Sequence, residues 1–368
     1  MPRGILVHEW LAATGGSENV FDVLAETFPE VDLLCLWSDV ADRYPGRELK
    51  ETWLARTPLR DRKAAALPLL PRTWRNRPGE YDWALVSSHL FAHHVSFRGS
   101  SNLRKYVYVH SPARYIWEPE LDRRGDSSLV RAVAATLKPL DRARAKEITA
   151  AAANSAFVRE RIARTWEIDS TVIYPPVEVD RIQRVADWTE CLSAEEVSVL
   201  DALPREFLLG ASRLIPYKAL DLVIAAGASC SVPVVIAGDG PERERLRAEA
   251  ERTGARAIFV GRVSDAMLYA LYQRCLAYVF PAVEDFGIMP VEAMAAGAPV
   301  ISGRVGGATE TVLDGVTGAH VDFDDPRSLR EGVERAVSLG GAKPAVHARS
   351  FSRAAFVDAV RRFVGDER

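Results

Sequence analysis

The stretch Phe280-Pro281-Ala282-Val283-Glu284-Asp285-Phe286-Gly287-Ile288-Met289-Pro290-Val291-Glu292-Ala293-Met294-Ala295-Ala296-Gly297-Ala298-Pro299 carries the organisation of the chain in miniature. Apolar runs at 277–280 and 300–302 bracket it, so it reads as the loop and helix joining two parallel strands. Pro290 suits the first position of a short helix and Gly297 its end. Glu292 then falls in the first turn, where the helix dipole favours its ionised form. Glu284 precedes Gly287, which permits close backbone approach to a ligand. Two carboxylates on one crevice rim can grip vicinal hydroxyls, as on a ribose or a hexose. Singly, each also reads as an exposed carboxylate beside a helix.

The same pattern extends outward through the chain. Candidate strands lie at 5–8, 31–37, 83–87, 106–110, 148–154 and 171–174, and after a break at 207–210, 232–237, 257–260, 277–280 and 300–302. Helical periodicity fills 18–28, 129–145, 219–228 and 242–253. Strands alternating with helices imply an α/β protein with parallel sheets covered on both faces. Pro175-Pro176 breaks the series as a stiff connector, giving domains over 1–175 and 181–350. A helix within 350–368, with apolar Phe351, Ala355, Phe356, Val360 and Phe363, is expected to pack back on one of them, the first domain being a candidate.

With 368 residues, 48% hydrophobic and 26% charged, the chain suits about two soluble domains and excludes a disordered or fibrous protein. No apolar run reaches the ~18 residues of a membrane span. His8 and Glu9 interrupt the N-terminal run too early for a signal peptide, so a cytoplasmic protein is expected. Cys35, Cys191, Cys230 and Cys275 form no C-x-x-C pair and read as buried free thiols. A net charge of −3 argues against a dedicated nucleic-acid binder.

Ligands of doubly wound sheets bind beyond the carboxyl ends of the strands. After the first strand comes Ala13-Thr14-Gly15-Gly16-Ser17-Glu18. Its glycines suit a helix N-terminus that holds an anion, or a plain turn with Ser17 as N-cap. Neither half carries G-x-G-x-x-G, which weakens a dinucleotide-dependent oxidoreductase. After the strand at 207–210, Arg213 and Lys218 precede a helix. They suit a diphosphate, by fork and point charge, or a solvated face. Asp322-Phe323-Asp324 is a literal D-x-D, but its Asp325-Pro326 context reads as a turn, and no metal ligand is assigned.

Glu284-x7-Glu292 within E-D-F-G-I-x-P-V-E-A-M-A-x-G-x-P-V-I, with Gly306-Gly307 and Glu310, resembles the signature of glycosyltransferase family 4. The likeness runs through Gly15-Gly16-Ser17-Glu18, Asn154-Ser155-x-Phe157-Val158, Arg213/Lys218, Gly238-Asp239-Gly240-Pro241 and Val260-Gly261-Arg262-Val263. The run from Tyr108 through His110, Ser111, Pro112 and Arg114 to Trp117 is most similar to bacterial mannosyltransferases that build surface polysaccharides from GDP-mannose. The resemblance implies a GT-B fold, two Rossmann-like domains facing a central cleft, and retaining transfer without a metal or other cofactor. It assigns Arg213 and Lys218, with N–H groups of Gly15 and Gly16, to the donor diphosphate. It assigns Glu292 to the ribose, Arg262-Val263 to the base, and Glu284 with Phe286, Gly287 and Ile288 to the sugar. His110 would line the reacting centre, positioning the sugar rather than acting as base. Glu9, Asp39 and Glu118 look like solvated carboxylates. Ala219 departs from the family, which usually has Gly after the Lys.

The resemblance makes 181–350 the donor domain and 1–175 the acceptor domain. Residues 1–170 hold 25 Lys+Arg against 22 Asp+Glu, and the remainder 22 against 28. The basic excess lies in 56–77, where Arg56, Arg60, Arg62, Lys63, Arg72, Arg75 and Arg77 face only Asp61. With interleaved Leu59, Leu67, Leu69, Leu70 and Trp74, the segment suits an anionic membrane surface, Trp74 acting as anchor, or a soluble phosphate-contacting loop. The expected acceptor is lipid-linked or a glycan, met at the inner face of the cytoplasmic membrane. A UDP-sugar donor and a non-catalytic nucleotide-sugar-binding protein stay open as alternatives.

Overall fold

A computed structural model describes residues 2–118 and 128–365. The chain forms two compact units, Met1–Pro176 with Phe356–Arg368, and Val177–Ala355. The first holds seven parallel strands: β1 (Gly4–His8), β2 (Asp32–Cys35), β3 (Leu49–Glu51), β4 (Trp83–Ser88), β5 (Arg104–Val109), β6 (Ala150–Ala153) and β7 (Thr171–Val172). Their order is β3-β2-β1-β4-β5-β6-β7. Alternate residues enter two different cores. Ile5, Val7, Ala84, Val86, Val107 and Val109 pack on one face, and Leu6, Leu33, Leu85, Tyr108 and Ala152 on the other. A sheet apolar on both faces must be covered on both, and helices do so. One of them, Arg353–Val364, sends Phe356, Val360 and Val364 into the second core. Residues 366–368 of the expected C-terminal helix lie outside the described residues.

The second unit holds β8 (Leu208–Ala211), β9 (Val234–Ala237), β10 (Ala257–Gly261), β11 (Ala277–Phe280), β12 (Val300–Ser302) and β13 (Gly318–His320). They too are parallel, ordered β10-β9-β8-β11-β12-β13. Leu208, Val234, Ile236, Val279 and Ile301 form its core with Val223, Leu246 and Leu329 from helices Asp221–Cys230, Arg243–Thr253 and Pro326–Val337. Both sheets reverse winding direction between their first and fourth strands, at β1/β4 and β8/β11. That is the crevice position of doubly wound folds.

Two strands escaped the sequence reading, β3 and β13. Each has three residues and sits at a sheet edge, so neither needs the continuous apolar run that marks a central strand. Two expectations about helix starts are corrected. The helix expected to begin at Pro290 begins at Ile288, so Glu292 lies in its second turn. Gly15, not Ser17, caps helix Gly16–Thr27, without a side-chain cap bond.

Candidate active site

The loop after β8 positions Arg213 and Lys218. Arg213 is exposed, 3.5 Å from the Tyr217 hydroxyl. The Lys218 ammonium pairs with the Glu284 carboxylate and lies 5.3 Å from the centre of the Tyr217 ring. The sequence thus brings together a cation expected on a diphosphate and a carboxylate expected on a sugar. Each neutralises the other. Glu284 is fixed by its own backbone, whose carbonyl accepts from Gly307 N–H at 2.8 Å. A Cβ on Gly307 would stand 2.4 Å from the Asp285 oxygen, so only glycine lets the loop after β12 approach so closely. Gly287 follows with φ of 88° and caps the helix bearing Ile288 and Glu292. Phe286 is buried beneath.

Beside this rim a cavity of about 440 Å³ is lined by Ser212, Arg213, Gly238, Asp239, Arg262 and Val263, with Leu268 and Met289. Arg213, Arg262 and Val263 were expected at a donor; Leu268 and Met289 were not, because an apolar helix residue reads as core.

Glu292 contradicts the expectation of an ionised group favoured by the dipole. Burial, and then the charge of Asp265, push its carboxyl up to about 7, against a pull from Arg181. In the second turn the dipole's influence has already fallen off, and desolvation prevails.

In the first unit, the carboxyl ends of β1, β4 and β5 gather His8, Ser87, His89 and His110. Ser87 Oγ and His110 Nε2 are 2.8 Å apart. His8 Nδ1 is 3.1 Å from both the Ser87 carbonyl and its hydroxyl. A carbonyl only accepts, so His8 carries its hydrogen on Nδ1. The Ser87 hydroxyl hydrogen is then directed to His110 Nε2, and the His110 proton stays on Nδ1. Burial and the neighbouring His89 push His110 down to about 3, so the ring is neutral near pH 7. Ser87 had no sequence signal, since a serine at a strand end is common.

Glu9 is not a solvated carboxylate. It is fully buried and accepts from Leu90 N at 2.9 Å, Ala92 N at 2.8 Å, His89 N at 3.2 Å and Ser88 Oγ at 3.2 Å. Glu118 pairs with Arg161 and Arg164, and Asp39 with Arg60 at 3.0 Å. At Gly15-Gly16 the helix N-terminus carries its own carboxylate: Glu18 accepts from Ser17 Oγ at 2.8 Å and would clash with any Cβ on Gly15.

The basic segment breaks into short turns and helices, and Trp74 is fully buried in the core, so it is no membrane anchor. Arg75 pairs with Glu147 at 2.6 Å and Arg77 is half-buried. Arg56, Arg62, Lys63, Arg72 and Leu69 stay exposed. Asp322 and Asp324 form a turn, Asp324 N donating to Asp322 Oδ1 at 3.0 Å, and Asp325 caps the next helix. Cys35 and Cys275 are buried as expected, Cys230 is half-buried, and Cys191 is exposed. No helix among the described residues is long and apolar enough to cross a membrane.

Residues 197–355 match the family model described as "Glycosyl transferases group 1". Over 174 residues the chain is 32% identical to "O-antigen chain mannosyltransferase C" of Escherichia coli, covering 44% of each protein. Over 210 residues it is 31% identical to "GDP-mannose-dependent alpha-(1-6)-phosphatidylinositol monomannoside mannosyltransferase" of Mycolicibacterium smegmatis, covering 51% of this chain and 54% of that protein. The chain spans about half the length of the curated relatives it matches. Among solved structures it is similar to Anabaena Alr3699/HepE in complex with UDP and glucose, with a TM-score of 0.67 and 18% identity over 99% of this chain and 100% of that one. Sucrose-phosphate synthase from Thermosynechococcus elongatus matches with a TM-score of 0.70 and 18% identity, over 99% and 98%. The fold is GT-B, two parallel-sheet α/β domains, and the second unit carries the likeness to group 1 glycosyltransferases.

Proposed function

We propose that the chain is a retaining glycosyltransferase moving a hexose, mannose from GDP-mannose, to a lipid-linked or glycan acceptor. The observation that carries this reading is the β8/β11 edge. There Arg213 lines the same cavity as Arg262 and Val263, Lys218 on the same loop pairs with Glu284, and the helix that follows carries Met289 of the cavity wall and Glu292. Relatives named as mannosyltransferases favour mannose, and the one named GDP-mannose-dependent favours that donor.

In this reading Arg213 and Lys218 hold the diphosphate, Glu292 the ribose, and Arg262-Val263 the base. Glu284 and the backbone of Phe286, Gly287 and Ile288 hold the sugar. From the first unit, Gly15 and Gly16 supply N–H groups and His110 positions the sugar. As the bond between anomeric carbon and phosphate oxygen breaks, the oxygen gains the charge that the fixed cations stabilise. The departing phosphate takes the acceptor's proton. No metal is needed at the diphosphate, and the nucleotide-sugar is the sole small-molecule requirement. Lys218 must leave Glu284 for the phosphate when the donor binds.

A second reading keeps the fold and changes the base, because a solved neighbour was captured with UDP and glucose. Thermal melting with each nucleotide separates them, since a bound ligand raises the melting temperature by mass action. GDP alone should raise it; an equal or larger rise with UDP would transfer the proposal to a UDP-sugar. Turnover then comes from a donor panel offered with lipid extract. We further propose contact with an anionic membrane through Arg56, Arg62, Lys63 and Arg72 beside Leu69. Flotation with anionic vesicles should weaken when these four are replaced by Ser; flotation that ignores lipid charge removes this part.

A further inference from the structure

The carboxyl ends of β1 and β4 hold groups that this transfer reaction does not use. One ligand-type atom from each of His8, Glu9 and His89 falls in a cluster spanning no more than 4.8 Å. We propose that His8 Nε2, His89 Nδ1 and Glu9 Oε2 form a three-ligand site for a zinc-class divalent ion in the first unit.

Each candidate atom has capacity to spare. His8 Nε2 and His89 Nδ1 are buried and make no hydrogen bond. His8 is already in the tautomer a metal needs, because its Nδ1–H is held by the Ser87 carbonyl and Nε2 is left as a bare lone pair. An outer hydrogen bond of this kind is what orients metal-binding imidazoles. Glu9 divides its work unequally. Oε1 accepts from Leu90 N, Ala92 N and Ser88 Oγ, whereas Oε2 takes only the His89 N–H. Oε2 lies 3.4 Å from His89 Nδ1, the separation of two atoms each ~2.1 Å from a tetrahedral ion.

Charge and access point the same way. A fully buried carboxylate is complemented by a divalent ion, and two imidazole nitrogens with one oxygen suit zinc better than magnesium or calcium. The His89 side chain is 23% exposed, so the cluster lies close to the surface on that side. His110 is not a ligand, its Nε2 being committed to Ser87.

The other histidine cluster shows what a closed site looks like. There Asp141 accepts from Trp117 Nε1 and Trp166 Nε1, both at 2.7 Å, and meets His94 Nε2 at 2.9 Å and His93 Nε2 at 3.1 Å. Both of its oxygens are already engaged, unlike Glu9 Oε2.

The test is titration of Co²⁺ into the chelator-treated full chain, read by visible absorption and thermal melting, with Zn²⁺ as competitor. One equivalent with the strong bands of a tetrahedral ion, displaced by Zn²⁺ and accompanied by a raised melting temperature, is expected. His89→Ala and Glu9→Gln should each weaken binding about tenfold or more. Their melting curves without metal report whether they fold, and the partly exposed His89 serves if Glu9→Gln does not. His320→Ala and Cys191→Ser should bind as the parent does. Absence of stoichiometric binding, binding unchanged in His89→Ala, or equal loss in His320→Ala or Cys191→Ser would overturn the site. None of these readouts requires transfer activity, so the result stands apart from the proposed function.

Discussion

The two sheets share one winding pattern and spend it on opposite chemistry. At the β8/β11 edge the loops present Arg213, Lys218 and Glu284 as formal charges, and the following helix adds Glu292, whose carboxyl burial keeps protonated up to about pH 7. At the β1/β4 edge they present His8, Ser87 and His110, uncharged and tied to one another and to the backbone, with His89 beside them. A sheet edge supplies position; the residues on its loops decide whether that position attracts a phosphate or orients a neutral group. The charged edge should therefore dominate binding energy, and the neutral edge geometry.

Lys218→Ala is the sharpest way to break this contrast. Losing one group that stabilises developing charge typically costs ~3–4 kcal/mol, so turnover should fall ~10²–10³-fold with the fold unchanged by circular dichroism. Unaltered kinetics would remove the charged edge from the chemistry. A pH series comes next in size. Glu292 keeps its proton in the folded chain up to about pH 7, whereas the unfolded chain releases it near 4.5. The contribution of Glu292 to stability is thus greatest below about 4.5, declines as pH rises to about 7, and then levels. Denaturant melts of Glu292→Gln should gain on the parent at pH 8 and show no gain at pH 4. Nucleotide affinity should rise through pH 7 in the parent alone, because an ionised carboxylate accepts better from ribose hydroxyls. Ala219→Gly is the smallest test. Ala219 holds φ of 50° directly after Lys218, a conformation costing a residue with Cβ ~1–2 kcal/mol. Glycine relieves it but adds unfolded-chain entropy, so a net gain of ~0.5 kcal/mol in chemical denaturation is expected.

The charged edge was more legible in sequence than the neutral one. Glu284, Gly287 and Glu292 lie within nine residues on one loop and helix, so their spacing reveals a shared rim. The neutral edge is assembled from His8, Ser87, His89 and His110, which meet only because β1, β4 and β5 are adjacent. Glu9 shows the same limit: nothing local tells that its carboxylate will cap the turn after β4, 80 residues away. Trp74 looked like an anchor because basic residues surround it, yet a large apolar ring can be buried from a segment in which Arg56, Arg62, Lys63 and Arg72 face out. β3 and β13 lacked signal because edge strands need only one paired side. Even on the legible rim, Glu292's protonation was misjudged, since burial depends on neighbours the spacing does not reveal.

Helix Arg353–Val364 has a consequence for how the chain is made. Its Phe356, Val360 and Val364 complete a core whose other members, such as Leu6, Leu85, Tyr108 and Ile173, precede the double proline. A ribosome has therefore passed Val364, and made all of the second unit, before the first sheet can be finished. Until then that sheet keeps an uncovered apolar stripe, the kind of surface that recruits chaperones or seeds aggregation. A fragment ending at Pro176 retains that stripe permanently, and a circular permutant that starts at Val177 and fuses the last helix to Met1 restores its cover early.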